Sequence, residues 1–329
     1  MAKTTKTEGA KDPFMEAVTV LEKRYGAGTV IFGKDVASDY EIVPTGSLNL
    51  DVATNLGGNP IGKLIEIFGP ESSGKSTTCL HMIANFQKIP GKVVLMDYEH
   101  SFDKKYATAL GVDVDNLVIM QPDNKEDGYN QAEILIKTGM VRLIIIDSHT
   151  AAMPKKVIEG DVGDAVVGLE ARINSTALGK IHPLLGANRC TMIGVSQLRT
   201  KIGDYGDPDK PSGGNAWKFY SDIRYKVSRV VDKINSCNKT VIEVIKNKCA
   251  PPFGKAEFRI NWGTGIDRAG EVIDLAVEFD LVKLGGAGWY TIEETKLQGM
   301  DKVKQFLIDN PEYAEELEKT ILGKIKEIG

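Results

Sequence analysis

The chain has 329 residues, 42% of them hydrophobic, and a formal net charge of −4. That length and apolar share allow a sizeable core with smaller parts attached, and no apolar run reaches the roughly 20 residues a membrane-spanning helix needs. The slightly acidic balance excludes nucleic-acid binding by global attraction and leaves that task to local basic patches. Four cysteines (Cys79, Cys190, Cys237, Cys249) and four histidines (His81, His100, His149, His182) lack disulfide or ligand spacing. The cysteines predict small buried side chains in a reducing compartment, and the histidines form no metal-ligand cluster. Met1 to Asp12 is polar without a signal-peptide core, which predicts a loose tail on a cytoplasmic protein.

The apolar run Leu64-Ile65-Glu66-Ile67-Phe68 reads as a buried strand and Thr77 to Phe86 as a helix. Between them stand Gly69, Pro70, Glu71, Ser72, Ser73, Gly74, Lys75, Ser76 and Thr77. Strand, glycine loop, lysine, hydroxyl and helix, in that order, form a phosphate cradle. Gly69 and Gly74 let the backbone turn its N–H groups toward an anion, and the helix adds its positive dipole end. Lys75 can reach the terminal phosphates and the Ser76 hydroxyl can ligate Mg²⁺. Only four positions are fixed, and a chain this long would match by chance about once in a hundred. The flanking strand and helix distinguish this loop from a flexible glycine turn.

Three further continuous apolar runs follow: Val93–Met96, Leu143–Ile146 and Thr191–Val195. Continuous runs suit strands buried on both faces of a parallel sheet, and the helix-like stretches Asp127–Lys137 and Leu169–Leu185 supply crossovers. Each strand ends in polar residues, and ligands of open α/β sheets bind at such carboxyl ends. Lys75, Glu99, Asp147 and Gln197 are therefore expected to converge on one nucleotide. Asp147 fits the acid that holds Mg²⁺ through water, or a helix cap. Glu99 fits a water-activating base, or a solvated cap. Gln197 fits a γ-phosphate sensor, or a polar strand exit. His100 and His149 fit packing or hydrogen-bonding roles.

After Gln197, residues 199 to 215 form a long Gly/Pro-rich polar stretch without periodicity, a length that in compact domains is functional or disordered. Its three basic residues and one aromatic suit contact with a phosphate backbone, against a plain surface loop as the alternative. A second loop, Glu159 to Asp164, precedes a helix carrying Arg172. Thr240 to Lys248 is strand-like, ended by Pro251-Pro252. Lys246 and Lys248 then share a sheet face, where two ammonium groups repel unless an anion lies between them. A solvated edge carrying lysines against aggregation is the alternative.

These segments resemble bacterial RecA recombinases, from about Asp12 to the last residues. The resemblance rests on residues 69–76, Asp97-Tyr98-Glu99-His100, Ile146-Asp147-Ser148, Gln197 to Gly203, Gly213-Gly214-Asn215-Ala216 and Lys246-Asn247-Lys248, with Thr45 to Asp51 and Glu159 to Asp164 matching as well. It implies an ATP- and Mg²⁺-dependent protein that polymerises on single-stranded DNA and exchanges strands with homologous double-stranded DNA. It implies that Glu99 activates water, that Gln197 couples the γ-phosphate to the following loop, and that Asp103 and Tyr106 hold adenine. Trp262 matches an aromatic near the adenine of the neighbouring subunit. Lys246 and Lys248 match a clamp reaching the neighbour's phosphates, which accounts for their shared face. The implied DNA contacts are Val167, Arg172, Ser175, Arg199, Thr200, Lys201, Ile202, Gly213, Gly214 and Asn215. Phe219 matches an interface aromatic, and a helix over Pro13–Tyr25, with the stripe Phe14, Ala17, Val18 and Leu21, would dock on the next subunit.

Val167 replaces the family's base-wedging methionine, Gly179 replaces a phosphate-contacting arginine, and Asp204 stands where an apolar residue is usual. The chain stops at Gly329 without the long acidic tail of cellular members, as a phage-borne or divergent member would. Triggering of repressor self-cleavage is a family trait that no residue here establishes. The expected fold is α/β: a phosphate-loop ATPase core with a mainly parallel sheet over 37–267, an N-terminal tail, docking helix and short strand over 1–36, and a small α/β C-terminal domain over 268–329. Two alternatives are a hexameric helicase on the same core and an ATP-gated scaffold that coats DNA or loads another recombinase without exchanging strands.

Overall fold

A computed structural model describes residues 12–26, 29–35, 39–161, 168–198, 214–232 and 237–328. The chain divides into two units, Met1–Tyr40 and Glu41–Gly329. In the first, helix α1 spans Pro13–Tyr25. It starts there because Asp12 accepts the Phe14 N–H and Pro13 occupies a first-turn position that needs no donor, and it ends at Gly26. Of its apolar stripe only Val18 is buried; Phe14 and Leu21 are exposed. The short strand expected before residue 36 is not found among the described residues, where Gly33–Asp35 forms a 3₁₀ turn.

The second unit opens with β1 (Ile42–Val43), α2 (Leu48–Ala53) and β2 (Asn59–Pro60), the two short strands pairing with each other. Then come β3 (Leu64–Gly69), α3 (Lys75–Phe86), β4 (Lys92–Asp97), α4 (Lys104–Ala109), β5 (Leu117–Met120), α5 (Lys125–Lys137), β6 (Val141–Asp147), α6 (Lys155–Glu159), α7 (Leu169–Asn188) and β7 (Thr191–Gln197). After the second long loop follow α8 (Ala216–Tyr220), β8 (Ile223–Asp232), β9 (Cys237–Asn247), β10 (Lys255–Asn261) and β11 (Gly265–Ile266). These strands form one nine-stranded sheet in the order β11-β10-β9-β8-β3-β7-β6-β4-β5. The six strands from β8 to β5 run parallel, and β3, β4, β6 and β7 among them are the four predicted apolar runs. The edge from β8 to β11 is antiparallel, a hairpin extension whose β8 the sequence reading did not separate. β3 is buried along its whole length because apolar clusters cover both faces of the sheet.

The chain closes with α9 (Arg268–Glu278), the small sheet β12 (Lys283–Leu284), β13 (Trp289–Ile292) and β14 (Thr295–Gln298), then α10 (Met300–Asp309) and α11 (Pro311–Ile328). These elements build a separate apolar cluster around Val272, Ile273, Val303, Leu307 and Ile321, joined by Leu48 of α2. At the junction the Glu271 carboxylate accepts from Ser47 Oγ (2.5 Å), Leu48 N (3.1 Å) and Asn49 N (3.2 Å). An acid from α9 thus caps the start of α2, where the helix has free N–H groups and positive dipole.

Candidate active site

The loop between β3 and α3 curls around the start of α3. Gly74 lies at φ +97°, and a Cβ there would press on the Ile260 and Thr240 side chains, so only glycine turns the chain into the helix at this point. The antiparallel edge holds the loop from behind: Thr240 Oγ1 donates to Ser73 O (3.3 Å) and Arg229 Nη1 to Ser72 O (3.0 Å). Neither residue was identified in the sequence, because each acts from a strand more than 150 positions away. Lys75 Nζ donates to the carbonyls of Gly69 (3.0 Å) and Pro70 (2.6 Å), and burial lowers its pKa while Asp147 and Glu99 oppose that shift. The Ser73 hydroxyl is buried with no hydrogen-bond partner among the described residues. A buried donor left in this state is costly, and an anionic oxygen would satisfy it.

A cavity of about 460 Å³ opens in front of the loop, lined by residues 72–77, Asp103, Tyr106, Ile260, Asn261, Trp262 and Gly263. It therefore joins the phosphate loop to both adenine candidates. Asp103 caps α4 by accepting from Tyr106 N (3.0 Å), and the Tyr106 hydroxyl meets Thr77 Oγ1 (3.1 Å). Trp262, expected near the neighbouring subunit's adenine, lines the cavity of its own chain and is 73% exposed. It lies there because the turn after β10 folds back toward α3.

Behind the loop, the ends of β4, β6 and β7 bring the acids together. Asp147 receives a hydrogen bond from Ser76, and burial pushes its carboxyl up to about 6. A hydroxyl facing a carboxylate, both hard oxygen donors, fits Mg²⁺, with the cation relieving the buried charge. Gln197 Nε2 donates to Glu99 Oε1 (2.6 Å), which ties the sensor candidate to the base candidate directly. Asp97 accepts from Ser101 N and Phe102 N (both 3.2 Å) and so shapes the turn that carries the exposed Glu99.

Lys246 and Lys248 are not among the residues lining this cavity. Lys246 Nζ donates to the carbonyls of Lys218 (2.8 Å) and Phe219 (3.0 Å), and Lys248 Nζ lies 3.4 Å from Asp222 Oδ1. Burial lowers the Lys246 pKa, and Lys248 and Arg224 lower it further. The repulsion expected of two lysines on one face is therefore present, relieved in part by Asp222. Arg172 and Ser175 lie on α7, and Gly214 packs against Ala171 of the same helix. Asn215 and Phe219 are exposed at the two ends of α8. Val167, Arg199, Thr200, Lys201, Ile202, Asp204 and Gly213 lie outside the described residues. At Gly179 the Tyr220 hydroxyl faces the helix where a side chain would begin. Among the described residues no helix is long and apolar enough to cross a membrane.

A parallel α/β sheet with a phosphate loop at the carboxyl ends of its strands, backed by two acids, defines a phosphate-loop ATPase. The RecA N-terminal domain model matches residues 13–267 and the RecA C-terminal domain model residues 270–326. Protein RecA of Cytophaga hutchinsonii is 44% identical, covering 99% of this chain and 95% of its own. Protein RecA of Bacteroides thetaiotaomicron is 48% identical over 92% of this chain and 93% of its own, and that of a Nocardioides species 47% over 94% and 90%. The chain belongs to the bacterial RecA family. Its function is that of a RecA recombinase: a DNA-dependent ATPase of DNA recombination and repair that binds DNA and self-associates.

Proposed function

We propose that ATP binds with its phosphates on residues 69–77 and its adenine between Asp103, Tyr106 and Trp262. The observation that carries this reading is the single cavity joining the loop to those three side chains. Ser76, with Asp147 acting through water, holds Mg²⁺, which neutralises phosphate charge when bound. Glu99 orients and deprotonates the attacking water. Gln197, hydrogen-bonded to Glu99, exchanges that partner for the γ-phosphate and passes its presence to the loop that follows. Lys246 and Lys248 leave the acceptors of their own chain and meet the phosphates of the adjoining subunit, stabilising transition-state charge in trans.

On this reading the protein forms a helical filament on single-stranded DNA in the cytoplasm, gripping the backbone through Arg172, Ser175 and residues 199–215. Base pairing with homologous double-stranded DNA then selects the partner, since backbone contacts carry no sequence information. Residues 1–36 act as the docking segment, 37–267 as the motor and 268–329 as the cap. The decisive experiment compares wild type with Gln197→Asn for poly(dT)-stimulated hydrolysis and for ATP-dependent affinity to poly(dT). Both should fall in the variant, and an unchanged pair of values removes Gln197 from the coupling.

A further inference from the structure

Arg229 on β8 and Thr240 on β9 reach the phosphate loop from outside the cavity, which neither of them lines. The two residues are partners in register, standing directly opposite each other across the antiparallel pair. Residues so placed project from the same face of a sheet. Their side chains therefore meet the loop as two donors side by side. Arg229 Nη1 donates to the Ser72 carbonyl at 3.0 Å, and Thr240 Oγ1 donates to the Ser73 carbonyl at 3.3 Å. Two consecutive peptide units of the loop are thus held by their oxygens.

A trans peptide unit is planar, and its C=O points opposite to the N–H of the next residue. Fixing Ser72 O therefore fixes the direction of the Ser73 N–H, and fixing Ser73 O fixes that of the Gly74 N–H. Both oxygens face the edge strands, so both N–H groups face away from them, on the side where the loop closes around the start of α3. The turn needs this support. Ser72 lies at φ +54°, a left-handed backbone that a residue with a Cβ adopts at a steric cost. The two donors are not equal. Thr240 is fully buried and Arg229 is exposed. A buried acceptor deprived of its donor is costly, whereas an exposed contact contributes little. Without the Thr240 hydroxyl the Ser73 carbonyl is free to rotate, and a rotated unit turns an oxygen, instead of an N–H, toward an anion.

We infer that the cross-strand pair Arg229–Thr240 presets the phosphate loop: by gripping the Ser72 and Ser73 carbonyls it turns the Ser73 and Gly74 N–H groups toward the phosphates of the nucleotide. Both are positioning residues that act through the loop. The inference rests on phosphates binding to residues 69–77, as proposed above. A loop held in this way receives its ligand without first having to be ordered, which strengthens binding. The gain belongs to the phosphate end of the nucleotide alone.

The test is isothermal titration of the full chain with Mg·ADP, joined to steady-state hydrolysis of ATP on poly(dT). Thr240→Val keeps the branched shape against Gly74 and removes the donor, and it should weaken ADP binding about tenfold, the size of one buried hydrogen bond. Thr240→Ser, which keeps the hydroxyl, should restore most of that affinity. Arg229→Met should weaken ADP binding by about threefold, as suits an exposed contact. In hydrolysis Thr240→Val and Arg229→Met should raise KM more than they lower kcat, because the phosphates are gripped in ground and transition states alike. Inorganic pyrophosphate, used to displace ADP, should lose affinity by the same factor as ADP. A weakened ADP with pyrophosphate unchanged puts the defect at the adenine end, beside Ile260 and Trp262, and overturns the inference. Wild-type ADP affinity in Thr240→Val overturns it too, as does a loss that Thr240→Ser fails to restore. If Thr240→Val does not fold, Arg229→Met decides, and unchanged ADP affinity there sinks the idea. Lys75→Ala, titrated alongside, separates the two layers. Undiminished ADP affinity in that variant defeats the phosphate-loop reading itself, whereas a collapse there with wild-type affinity in Thr240→Val and Arg229→Met defeats only the role of the cross-strand pair.

Discussion

At the residue scale, the phosphate loop is governed by a lysine held on its own loop. Lys75 donates to two carbonyls that a phosphate oxygen must outcompete. Lys75→Ala should leave the fold intact and lower kcat by about 10²–10³-fold, the cost typical of losing one preorganised charge on a developing oxyanion, measured by steady-state hydrolysis. Asp147 supplies a pH prediction. With its carboxyl raised to about 6 by burial, it is protonated in the ATP-free chain below that value and ionised above it. Protons and Mg²⁺ then compete for it, so affinity for Mg·ATP should weaken as pH falls through about 6, and this dependence should be lost in Asp147→Asn. Isothermal titration between pH 5 and 8 reads it. Gly194→Ala tests the approach of the buried Trp217 ring to β7, where a methyl group would overlap it. Overpacking of this kind costs about 1–3 kcal/mol, visible as a lower denaturant midpoint. Asp147, Glu99 and Lys75 were legible in the sequence because each lies in the short segment that follows an apolar run. Trp217, Asp222, Thr240 and Arg229 were not, because their partners lie on elements distant in the chain.

At the element scale, the runs Leu64–Phe68, Val93–Met96, Leu143–Ile146 and Thr191–Val195 became β3, β4, β6 and β7, and the helices predicted between them formed within a few residues. Continuous apolar runs identify strands buried on both faces, and this is why these four were readable. β8 was missed because its sequence mixes charged and apolar residues, as befits the boundary between parallel and antiparallel halves of the sheet. The capping of α2 by Glu271 of α9 carries a stability prediction. Burial raises the Glu271 pKa from 4.5 to about 7. The folded chain therefore holds a proton there that the unfolded chain has released above pH 4.5. The resulting stabilisation is fully present below pH 4.5 and is lost as pH rises to about 7. Asp51, raised to about 7 by its own burial, acts in the same direction. Glu271→Gln should flatten the fall of melting temperature between pH 5 and 8 without abolishing it, since Asp51 remains.

At the scale of the whole molecule, the proposed function makes one subunit an incomplete motor. Its cavity gathers the phosphate loop with Asp103, Tyr106 and Trp262, while Lys246 and Lys248 are held by acceptors of their own chain. Electron microscopy with single-stranded DNA and a non-hydrolysable ATP analogue should show helical filaments, and these should shorten or vanish without nucleotide. Mixing homologous single and double strands should give joint molecules. Coating without pairing would leave only the scaffold role, and closed hexamers that unwind forks would point to a helicase.

The order of motifs along the chain determined the ATPase core, the phosphate loop and the acids at the strand ends, because each is a local pattern set by strand burial and turn chemistry. What only the tertiary structure decided is which distant groups meet. It put Trp262 in its own chain's cavity, Asp222 and the α8 carbonyls on the lysines, and Trp217 against both His149 and Gly194. Such meetings depend on strand order and register across the sheet, and neither is written in the spacing of residues along any one segment.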